Sequence, residues 1–108
     1  YGFEESLLEM NWNCQCNYVP SLFSTFDMCD IASLIAPRPL AIQSCLSDHL
    51  EGKRGMVNVM EQMEILNKSY AIFNKSVFHD TPEGDHSFHK ERLIEILDYL
   101  ENEDREQR

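Results

Sequence analysis

Two prolines separated by a single residue, followed at once by a run of apolar residues, constrain this chain more than any other feature. In "IAPRPLAIQSCL" Pro37 and Pro39 forbid helix through the junction, and the run from Leu40 to Leu46 behind them is short, apolar and closed by "SDHLEGKRG". Such a run suits a strand buried on both faces, the kind found in parallel sheets. The next periodic segment, roughly Gly55 to Tyr70, sets Met56, Val59, Met60, Met63, Leu66 and Tyr70 on one helical stripe, which reads as core packing. "AIFNKSVFHDTP" then supplies a second strand centred on Ser76, Val77 and Phe78, and Leu93, Ile94, Leu97 and Leu100 give a last helix one apolar face. Strand, helix, strand, helix is the pattern that requires a crossover and a parallel sheet, so the expected class is α/β, parallel strands with flanking helices.

Two strands make an incomplete sheet, and 108 residues are one folding unit at most. The expected organisation is a segment over 1–100 belonging to a larger α/β domain, with 101–108, "ENEDREQR", as an acidic helix end or tail. Upstream, Phe3, Leu7, Leu8 and Met10 suit a short helix, "NWNCQCNYVP" reads as loop, and Ser21 to Asp30 holds another short helix through Leu22, Phe23 and Phe26. Arg38, between the prolines, is expected to pack its aliphatic stem at the strand entry.

Charge narrows the partners. Nineteen acidic residues against nine basic ones, a net −10, argue against nucleic acid and against a basic membrane-binding face. No apolar run is long enough to span a bilayer, and "YGFEESLLEM" has neither the basic nor the apolar region of a signal peptide, so a cytoplasmic protein is expected. Cys14, Cys16, Cys29 and Cys45 follow no disulfide spacing and read as reduced thiols. Cys14-x-Cys16 lacks a second paired ligand set, so neither a metal nor an organic cofactor is expected.

In open parallel sheets, functional groups gather on the loops beyond the carboxyl ends of the strands. The first strand delivers Ser47-Asp48-His49 and the second Gly84-Asp85-His86. A carboxylate after one strand and an imidazole after its neighbour can form a pair in which the acid orients the histidine as a general base. The bland alternatives are a turn or N-cap role for Asp48 and a helix-capping role for His86. His79, Asp80, Asp85, His86 and His89 include no ligand pair on one helix face, since Asp85 and His89 straddle a turn, and His89 reads as a surface residue at a helix start.

"CNYVPSLFSTFDMCDIASLIAPRPLAIQSCLSDHLEG", followed by "EGDHSF", resembles the C-terminal part of α/β-hydrolase esterases related to acetyl xylan esterases and dienelactone hydrolases, over Cys14 to Leu100. The resemblance implies the C-terminal portion of an α/β-hydrolase fold, with Asp48 as triad acid, His86 as triad histidine, and Asp85 and Phe88 framing them. It further implies a small ester or acetylated carbohydrate as substrate. The nucleophile elbow G-x-S-x-G is absent, since none of Gly2, Gly52, Gly55 and Gly84 brackets a serine at that spacing. An alternative expectation is therefore a non-catalytic module that oligomerises through its exposed sheet edge.

Overall fold

The structure, a computed structural model, describes residues 2, 4, 21–48 and 54–107. The helix expected over 1–10, the loop after it, Cys14, Cys16 and His49 lie outside these residues. Within them the chain is a mixed α/β unit built on a two-stranded parallel sheet.

Helix α1 (Leu22–Thr25) and helix α2 (Met28–Ala32) together occupy the segment expected to hold one short helix. Asp27 separates them because it caps α2: its carboxylate accepts from the Met28 amide at 2.7 Å, while Asp30 reaches back to the Asp27 amide at 2.8 Å. This reciprocal arrangement satisfies donors that the helix start would leave open. A 3₁₀ turn (Ser33–Ile35) follows, and Pro37 and Pro39 then deliver the chain to strand β1 (Ala41–Gln43). Arg38 is exposed, contrary to the expected stem packing, and its Nε donates to the Ile35 carbonyl at 3.2 Å.

Helix α3 (Met56–Ala71) is the crossover, and it buries Asn58, Val59, Met63, Leu66 and Tyr70. Two positions differ from the expected stripe. Met60 stands at the margin and is exposed, while the fully buried Asn58 accepts the Gly2 amide at 3.2 Å. The core collects Cys29 from α2, four apolar side chains of α3 and Val77, with Leu40 and Ile42 packed against it. Polar ties fix the angle of α2 on α3, since Gln62 accepts from the Cys29 amide and donates to Asp27. The Tyr70 hydroxyl donates to the Arg38 carbonyl at 2.7 Å, joining the end of α3 to the proline junction.

Strand β2 (Phe78–Asp80) is centred on His79, two residues beyond the expected centre. The Val77 amide donates to Asn67 of α3 at 3.0 Å and so is not available to the ladder, and the Ser76 carbonyl beside it accepts the Tyr99 hydroxyl at 2.7 Å. β2 pairs with β1 in parallel, Ala41 beside Phe78, Ile42 beside His79 and Gln43 beside Asp80. A second 3₁₀ turn (Lys90–Arg92) leads into helix α4 (Leu93–Gln107), which continues through the acidic segment. The buried face of α4 is not the one expected. Ile96 is buried and Tyr99 stacks on Phe78 at 5.0 Å, while Ile94 is 74% exposed and Leu97 is exposed as well. The ring of Tyr99 sets the rotation of the helix, so the Ile94 side turns outward.

Leu66 is 2% exposed at the centre of the core. Leu66→Ala is expected to lower the free energy of unfolding by about 2–5 kcal/mol, whereas Ile94→Ala shifts it by less than about 0.5 kcal/mol, as urea denaturation would read.

Candidate functional site

Parallel pairing does not stop where the strands do. The Ser44 amide donates to the Asp80 carbonyl, Leu46 to Pro82 and Ser47 to Gly84, each at 2.9 Å. The loops beyond β1 and β2 therefore run side by side for several residues. Gly84 sits in this stretch at φ 119°, a backbone conformation that L side chains rarely adopt. Cys45, buried between the loops, adds a contact from its Sγ to the Ser87 carbonyl at 3.3 Å.

This zippering sets Asp48 opposite His86. His86 Nδ1 lies 2.8 Å from Asp48 Oδ2, and the two side chains differ in environment: the carboxyl is 9% exposed and the imidazole 52%. A carboxylate can only accept, so the bond assigns the proton to Nδ1 and the lone pair of the neutral ring to Nε2. That is the tautomer a general base needs. Asp85 holds the turn beneath them, its Oδ1 accepting the His86 amide at 2.7 Å. Phe88 stands exposed nearby in sequence. The two residues read from the sequence as acid and base are thus brought together, across 38 positions of chain.

A second network supports the loops, and the sequence reading passed over it. The Asp80 carboxyl is 2% exposed; its Oδ1 accepts from Arg92 Nε and its Oδ2 accepts from Gln43 Nε2 at 2.9 Å. Gln43 in turn accepts the His89 amide at 2.8 Å through its Oε1. One glutamine side chain therefore joins the end of β1, the end of β2 and the loop before α4. The available signal was Gln43 itself, the one long polar side chain in the run from Leu40 to Leu46. His89, expected on the surface, has a side chain only 18% exposed, because this clamp draws its backbone against the strands.

His79 points to the other face of β2, toward α3. Its Nε2 lies 2.9 Å from Ser44 Oγ, and the ring lines an open apolar groove with Met56, Met60 and Met63. Burial lowers its pKa from the ordinary 6.5, which favours the neutral ring. His79, Asp80, Asp85, His86 and His89 are accordingly spread over both faces and a loop, and among the described residues no three acid, histidine or cysteine side chains form a metal-binding group. No described helix is long and apolar enough to cross a membrane. No family model, curated protein or solved structure matches the chain.

Arg92 is partly exposed but its partner Asp80 is not, so removing the guanidinium strands a buried carboxylate. Arg92→Ala is expected to cost about 3–5 kcal/mol in a denaturation experiment, and Asp80→Asn in the Arg92→Ala background is expected to recover part of that loss.

Proposed function

We propose that this chain contributes the acid and histidine of a carboxylic-ester hydrolase of the α/β-hydrolase type, with a small ester or acetylated carbohydrate as substrate. The observation that carries the reading is the 2.8 Å bond between His86 Nδ1 and Asp48 Oδ2, made between loops that follow adjacent parallel strands. His86 Nε2 takes the proton of a serine hydroxyl as that oxygen attacks the ester carbonyl, then returns it to the departing alcohol. Asp48 holds the ring in register and stabilises the imidazolium that forms between the two transfers. In this reading the serine and the oxyanion donors come from chain outside these 108 residues, because acyl transfer at an enzymatic rate needs both.

The test is hydrolysis of a chromogenic aryl acetate by the protein at the full length its gene encodes. His86→Ala and Asp48→Asn are each expected to lower kcat by about 10⁴-fold. Unchanged kcat in both variants would remove the pair from the mechanism.

A second reading, a non-catalytic module that oligomerises, is favoured by one observation: the outward side of α4 carries Ile94 and Leu97 in exposed positions. It expects the mass measured by light scattering to rise above that of one chain with concentration and to fall back in Ile94→Glu. A single-chain mass at every concentration would exclude it.

A further inference from the structure

The loop between β2 and α4 holds a second imidazole with partners on both ring nitrogens. His89 Nε2 lies 3.2 Å from Ser87 Oγ, and His89 Nδ1 lies 3.0 Å from Glu91 Oε1. The order is serine, histidine, carboxylate, with the acid on Nδ1 and the hydroxyl on Nε2. A carboxylate on Nδ1 places the ring proton there and turns the Nε2 lone pair toward the serine. Glu91 stays ionised, since hydrogen bonds from its own backbone and then from the His89 ring lower its pKa.

Three further observations bear on this arrangement. The imidazole is held rather than loose: the Gln43 side chain accepts the His89 amide, which fixes the backbone that carries the ring. Ser87 is exposed and so reachable by a reagent. Its single hydroxyl proton has a competing acceptor in the Asp85 carbonyl at 3.3 Å, but only the imidazole can take that proton away.

We infer that Ser87, His89 and Glu91 form a nucleophile, base and orienting acid, making Ser87 a reactive serine that accepts an acyl or phosphonyl group from an activated ester. As Ser87 Oγ bonds to the electrophilic carbon or phosphorus, its proton passes to His89 Nε2. The bond to the leaving group then breaks, and the leaving group departs with its electron pair; a basic one such as an alkoxide takes the proton from the ring, while fluoride leaves the proton to pass to solvent. Oxyanion donors supply the largest share of turnover in acyl transfer, so what this relay supports unaided is a single transfer onto the serine. The site is distinct from the Asp48–His86 pair and does not depend on the hydrolase reading.

The experiment is treatment of the 108-residue protein with an alkyl fluorophosphonate at neutral pH, with the adduct located by peptide mass spectrometry. The expected result is modification at Ser87, slowed by about 10²-fold or more in His89→Ala and by a smaller factor in Glu91→Gln, whose exposed side chain can change without disturbing the fold. Ser87→Ala should remove the adduct. No adduct at Ser87, modification confined to another serine such as Ser44 or Ser47, or a Ser87 rate unchanged in both His89→Ala and Glu91→Gln would overturn the inference. None of these outcomes bears on the kcat of His86→Ala toward an aryl acetate, so the two proposals fail separately.

Discussion

A buried carboxylate at the end of β2 organises the chemically rich end of this molecule. Asp80 has almost no contact with water, so its charge requires donors from the protein, and it takes them from two different elements. Arg92 comes from the turn that starts α4, and Gln43 comes from β1. Satisfying one side chain therefore fixes the strand ends relative to each other and to the last helix. The same Gln43 then holds the His89 amide, and the chain between Asp80 and His89 is fastened at both ends. His86 lies inside that stretch. Its position opposite Asp48 is thus supported by a network that touches neither residue.

The sheet is too small to supply much order by itself, with three residues in each strand. What extends it is the sequence of amide-to-carbonyl bonds that continues to Ser47 and Gly84 after the strand geometry has ended. Helix α3 anchors the other side, where its buried stripe meets Cys29 of α2, Ile42 of β1 and Val77 just ahead of β2 in one core. The molecule has a packed apolar end and a hydrogen-bonded polar end, joined through β1 and β2. Substitutions at the first act on global stability, and substitutions at the second act on where the loop side chains point.

How much of this could be read in the sequence follows from the range of the interactions involved. The α3 stripe is a local periodicity, and it is recovered except at Met60 and Asn58, where a tertiary contact from Gly2 decides which side chain is buried. The proline junction is equally local, because ring geometry alone excludes helix there. Asp48 and His86 were legible because topology puts the ends of consecutive parallel strands together, whatever the packing details. The later centre of β2 was not legible, since it depends on Asn67 capturing the Val77 amide across ten positions. Nor was the rotation of α4, where Leu93, Ile94 and Leu97 form a regular apolar pattern that the Phe78–Tyr99 stack turns away from the core. The burial of His89 depends on a glutamine 46 residues earlier, which no pattern around His89 announces.

Two imidazoles with a carboxylate at Nδ1 stand three residues apart, and their acids differ in surroundings. Glu91 is 69% exposed, so water and salt screen its attraction for the imidazolium that forms when His89 takes a proton. The Asp48 carboxyl is 9% exposed, and its attraction for a protonated His86 acts through a less polar medium. The Asp48–His86 pair has the better shielded acid, and the His89–Glu91 pair the better shielded ring. His89 has the compensating advantage of a hydroxyl already at Nε2, within hydrogen-bond reach and on a clamped backbone. The pair with the better shielded acid and the pair that already holds a hydroxyl at Nε2 are therefore different pairs.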